Sequence, residues 1–91
     1  MNGSPPTPTP APTPLVLDLP SLPVTSSLLA SVAYDHDRAI LQLEFRGGAI
    51  YQYFGVPSRS YRELLQAGSH RAYFNRHIRG LFRYDLLHPA S

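Results

Sequence analysis

Hydrophobic and polar residues alternate most cleanly from Ile40 to Phe45, where Leu41, Leu43 and Phe45 fall on one side and Gln42 and Glu44 on the other. That period of two predicts a strand buried on one face. Ser31–Tyr34 upstream is a shorter strand candidate, closed by the turn-forming run Asp35-His36-Asp37-Arg38. Gly47-Gly48 supplies the positive φ values of a tight hairpin, and Ala49–Phe54 follows as a third strand. Tyr51 and Tyr53 share one of its faces, and Ile50, Gln52 and Phe54 the other. Parity alone does not say which face is inward, but a glutamine opposite the tyrosines favours Tyr inward.

After Pro57 the period changes. Ser58 or Ser60 can cap a helix, Ser60 and Glu63 stand at capping-box spacing, and Tyr61, Leu64 and Leu65 form an apolar stripe. Gly68 is placed to end that helix, and Ser69 to cap a second one through Tyr73 to about Arg76. Phe74 and Ile78 can pack back on the sheet, Gly80 breaks the helix, and Leu81–Leu87 reads as a short fourth strand or an irregular tail. The expected fold class is α+β: a three-stranded antiparallel meander covered on one face by two short helices.

Eight of the ten prolines lie in residues 5 to 23, so residues 1 to 25 read as an unfolded, polyproline-rich tail. The short apolar run Leu15–Leu22 within it could dock on the domain or on a partner. The expected domain spans residues 26 to 87, with residues 88 to 91 as a C-terminal tail. Without cysteine it has neither a disulfide nor a thiolate metal site, so its ten Tyr and Phe, all between Tyr34 and Tyr84, must supply the core. Neither a basic, apolar leader nor an apolar run of membrane-spanning length is legible, which predicts a soluble cytoplasmic protein.

The formal charge of +2 is unevenly spread: residues 59 to 83 carry six arginines against Glu63 alone. All basic residues are Arg, a planar donor suited to phosphate and to stacking on rings. Arg71, Tyr73, Arg76, His77, Arg79 and Arg83 interleave cations with aromatic rings, and Tyr51 and Tyr53 offer ring faces, a combination suited to single-stranded nucleic acid. The plainer reading makes the tyrosines core and the arginines a solvated face. Asn75-Arg76-His77 with Tyr73 and His70 also sketches a metal-independent ribonuclease site, a weaker alternative because a histidine beside a tyrosine more often simply packs against it. His36, His70, His77 and His88 are too scattered to predict a metal, and no glycine-rich loop precedes a helix, so no cofactor is expected.

Ser26-Ser27, the meander, Tyr51-Gln52-Tyr53-Phe54-Gly55-Val56-Pro57, the helix through Leu65 and Tyr73-Phe74-Asn75-Arg76-His77-Ile78-Arg79-Gly80 together resemble the KTSC domain. That family is named for an extension at the C-terminus of some lysyl-tRNA synthetases and also occurs as small free-standing bacterial proteins. The resemblance spans about residues 26 to 87 and includes the family's central Tyr-x-Tyr. It implies a small non-catalytic module with RNA as partner. A protein partner for the aromatic face or the tail is the competing expectation, since no synthetase body accompanies the domain and the Pro-rich tail lies outside the family pattern.

Overall fold

The alternation of the central strand sets the sheet. In the computed structural model, which describes residues 21–90, β3 (Ile40–Phe45) lies in the middle of a five-stranded antiparallel sheet in the order β1-β2-β3-β4-β5. β2 (Leu29–Asp35) pairs with it on one side and β4 (Ile50–Phe54) on the other. The expected meander is therefore present, and it has gained an edge strand on each side. β1 (Leu22–Pro23) pairs with Val32 and Ser31 of β2, in a stretch expected to belong to the tail. β5 (Tyr84–His88) pairs with β4 and turns the expectation of a short fourth strand into a fifth. The remaining expectations for the Pro-rich tail, residues 1–20, and for Ser91 lie outside the described residues.

Both hairpin turns follow from local chemistry. At the β2–β3 turn, Asp35 Oδ1 accepts the backbone N–H groups of Asp37 at 2.9 Å and Arg38 at 3.2 Å. This is how an Asp side chain substitutes for a backbone acceptor in a turn. At the β3–β4 turn, Phe45 N–H donates to Ala49 at 2.8 Å and Gly48 N–H donates to Phe45 at 2.9 Å, with Gly48 at φ 102°. A side chain at that φ would be strained, which is why the turn carries glycine.

α1 (Ser58–Gln66) and α2 (His70–Tyr73) follow. The first starts earlier than a Ser60–Glu63 capping box requires: Pro57 is the cap residue and offers no side-chain bond. Pro57 can hold that place because its fixed φ suits a helix start and its carbonyl accepts the N–H of Ser60 at 2.9 Å. Ser60 thus lies inside the helix, and Glu63 is turned to another partner. The second cap forms as expected, Ser69 Oγ accepting from Ala72 N–H at 3.1 Å. Beyond Tyr73 the helix widens into a π segment, Phe74–Ile78, closed by Arg79 N–H donating to Phe74 at 2.8 Å. Gly80 at φ 78° then reverses the chain toward β5. A Cβ there would meet no atom within 4 Å, so the sign of φ and not space selects glycine.

Register assigns the faces. Val32, Leu43 and Tyr51 align across the sheet, as do Tyr34, Leu41 and Tyr53. Together with Leu64, Phe74 and Ile78 from the helices these rows make the core. The tyrosines of β4 point toward the helices, as Gln52 on the opposite side favoured. On that opposite face Gln52 Nε2 donates to Gln42 Oε1 at 3.0 Å and Ser31 Oγ donates to Glu44 at 2.8 Å. These cross-strand bonds tie β2, β3 and β4 in register. Leu43 and Ile78 are fully buried on opposite sides of the sheet–helix layer. Leu43→Ala or Ile78→Ala is expected to cost about 2–5 kcal/mol in urea denaturation. A loss below about 1 kcal/mol at both positions would mean that this layer is not the core.

Candidate functional site

Two short helices do not cover five strands, and the uncovered part is aromatic. Tyr51 and Tyr53 stand two apart on β4, so both face the helix side, and the pairing Tyr53–Tyr84 brings a third tyrosine beside them from β5. Their rings are close: Tyr51 and Tyr53 are stacked at 6.1 Å, and Tyr84 leans on them at 5.5 Å and 5.6 Å. Phe74 enters edge-on against Phe45 at 5.4 Å and Tyr53 at 5.9 Å, closing one wall. The result is an open groove of about 410 Å³ lined by these five rings with Ala49, Arg79 and Gly80.

The three tyrosines are exposed in steps. Tyr53 at the floor is 5% exposed, Tyr51 is half-buried, and Tyr84 at the rim is 56% exposed. Burial pushes the Tyr53 phenol up to about 12, the Tyr51 and Tyr84 phenols adding to the rise and the Arg79 guanidinium opposing it. At neutral pH the floor therefore presents a neutral hydroxyl, and the only full charge on the groove is cationic. Arg79 is steadied by Asn75, whose Oδ1 accepts from it at 3.3 Å one helical turn back.

Of the residues singled out in the sequence, Tyr51, Tyr53 and Arg79 meet in this groove. Arg83 lines an adjoining recess with Leu81, Phe82 and Tyr84. Tyr73, Arg76 and His77 lie elsewhere, on a shallow recess with Ser69 and Ala72. Tyr73 is occupied there: its hydroxyl donates to Glu63 at 2.7 Å, joining α2 to α1, and its ring lies 4.5 Å from the His77 ring. Burial and the Glu63 bond raise its phenol. Arg71 lines another recess with Arg46 and His70. His70 and His77, paired in the ribonuclease sketch, thus open on different recesses. Tyr34 is also spoken for, stacked on Tyr61 at 5.0 Å and donating to the Val56 carbonyl.

Phe74 and Tyr84 belong to the interleaved run of arginines and rings but were not singled out as contact residues, and Phe45 is the groove ring that sequence reasoning placed in no site. The signal for Tyr84 was available: a strand in Leu81–Leu87 antiparallel to β4 sets an aromatic residue beside the Tyr-x-Tyr pair. Among the described residues no group of three or more His, Asp or Glu side chains is arranged to hold a metal ion. No described helix is long and apolar enough to cross a membrane.

The family model described as KTSC domain matches residues 25–84. A lysine–tRNA ligase of Nostoc sp. is 38% identical over 72 residues, which is 79% of this chain and 13% of that protein. The chain thus spans about an eighth of the length of that ligase. A protein of Tsukamurella paurometabola is 39% identical over 61 residues, covering 67% of this chain and 91% of its own length. The crystal structure of a KTSC domain protein from Yersinia pestis superposes with a TM-score of 0.73 at 35% identity, over 77% of this chain and 99% of that one.

Raising the pH tests the groove floor. Tyr53 contributes fully to stability below the ordinary phenol value near 10, and the contribution is lost as pH climbs from about 10 toward 12, because the unfolded chain ionises first. Ultraviolet titration is expected to show a late-ionising tyrosine near 12 that Tyr53→Phe removes. Its persistence in that variant would place the buried phenol elsewhere.

Proposed function

The chain belongs to the KTSC domain family, and on that premise we propose that it is a small non-catalytic module that binds single-stranded RNA through the tyrosine groove. The observation that carries this reading is the meeting of three tyrosine rings with Arg79 in one open groove. Aromatic rings stack unpaired bases whatever their sequence, and a guanidinium at the rim meets the phosphate that follows. Tyr84, the most exposed of the three, is the outer platform, and Tyr51 and Tyr53 line the inner wall. Arg83, on the adjoining recess, extends the cationic rim. The name of the lysine–tRNA ligases supports RNA as the partner, since the related segment sits in proteins named for a tRNA reaction.

A second reading rests on a specific observation. Leu81 and Leu86 are 64% and 49% exposed beside Tyr84, so the same side of the molecule offers an apolar strip to a protein partner. Salt separates the two, because phosphate contacts weaken as counterions are added and apolar contacts do not.

The test uses the full chain and a fluorescent mixed-sequence single-stranded RNA at about 50 and 200 mM salt. Affinity is expected to fall at the higher salt. Tyr84→Ala should weaken binding by about 5- to 150-fold, the range of one base–aromatic stack. Arg79→Ala should weaken it and flatten the salt dependence. Binding that ignores salt and both substitutions would remove the RNA reading and leave the protein partner.

A further inference from the structure

A second concavity has chemistry opposite to that of the groove. Three distant segments meet there: Ser26-Ser27 ahead of β2, Arg46 at the β3–β4 turn, and Ser69-His70-Arg71 at the start of α2. The first two are clasped together, Arg46 N–H donating to Leu28 at 3.0 Å and the Arg46 Nε group donating to the Ser26 carbonyl. The recess encloses about 430 Å³, and its lining includes no carboxylate.

Its polar groups are donors left over from structural work. Ser26 Oγ accepts the N–H groups of Leu28 at 3.0 Å and Leu29 at 3.2 Å, and Ser69 Oγ accepts that of Ala72. Each hydroxyl oxygen is thus oriented by its acceptor role, and its own proton remains to be given. Arg46 spends Nε on Ser26, which leaves its two terminal nitrogens for a ligand. Among the described residues neither Arg46 nor Arg71 is ion-paired, the recorded salt bridge being Arg38 with Asp35. Two uncompensated guanidinium groups, an imidazole and oriented hydroxyls on one acid-free wall call for a compact dianion with several acceptor oxygens.

We propose that this recess binds the phosphate group of a phosphomonoester, with Arg46 and Arg71 meeting its charge and Ser26, Ser27 and Ser69 donating to its oxygens. Two guanidinium groups balance a dianionic monoester and exceed what one backbone diester needs, which selects a terminal phosphate. The site is separate from the tyrosine groove and does not rest on the RNA reading. Phe45 lines the groove and its neighbour Arg46 lines this recess, so one hairpin turn serves both.

The experiment is a titration of the full chain followed by amide NMR, with inorganic phosphate, adenosine monophosphate and adenosine as probes at constant ionic strength. Inorganic phosphate is expected to give saturable shifts at Ser26, Ser27, Ser69, His70 and Arg71, and adenosine alone none. Arg71→Ala, whose guanidinium bonds to nothing among the described residues, should weaken phosphate about tenfold and leave the remaining spectrum folded. Arg71→Lys should recover part of the loss. Equal affinity for phosphate and adenosine monophosphate assigns recognition to the phosphate group alone, and tighter binding of the nucleotide extends the site to a nucleoside; both uphold it. Inorganic-phosphate shifts that do not saturate, that centre on Arg79 and Tyr84, or that Arg71→Ala leaves unchanged would overturn it.

Discussion

Phe74 set edge-on between Phe45 and Tyr53 is the contact from which the rest of the molecule is hung. It comes from the first residue of the π segment, so it locks the helical layer over β3 and β4. With Ile78 and Leu64 fixed beside it, the helices shield the middle of the sheet and stop short of β5. Tyr84 and Leu86 on that strand stay open to solvent as a result. In a domain this small the core has few spare rings, and an aromatic residue that closes the core also builds the wall of the groove.

Much of the fold was legible because the central strands sort apolar and polar side chains to opposite faces, so alternation in Ile40–Phe45 translates directly into register; the expected burial of one face alone was not met, since Gln42 and Gln52 are buried on the other. The same parity put Gln42 and Gln52 together and turned Tyr51 and Tyr53 toward the helices. β1 was not legible, since two residues paired at an edge leave no period to read, and proline beside them signals extended chain with or without a partner. The capping box at Ser60 and Glu63 misled because Pro57 begins the helix from backbone alone, and Glu63 is drawn to Tyr73 across the helix pair.

The site was legible in residue type more than in grouping. Interleaved Arg and aromatic residues suggested one surface, but helix geometry sends neighbours to different sides. Arg79 goes to the groove, Arg76 and His77 to a shallow recess, and Arg71 to the polar recess with Arg46. Arg46 and Ser69 could not have been grouped with Arg71 from spacing, because a hairpin turn and a helix cap meet only through the tertiary fold. The outcome is a division of labour in which rings gather where the sheet is bare and oriented hydroxyls gather where loops converge.

The π segment has a further meaning for how such a chain can change over time. A five-residue turn is the form in which a helix stores one inserted residue without disturbing its ends. Removing Asn75, for instance, would return Phe74–Ile78 to the ordinary helical repeat with both ends kept in place, and would take away the oxygen that steadies Arg79. Arg79 would keep its place on the groove without the Asn75 bond behind it. A single residue of this segment thus sets how firmly the groove's cation is held, leaving the sheet beneath untouched.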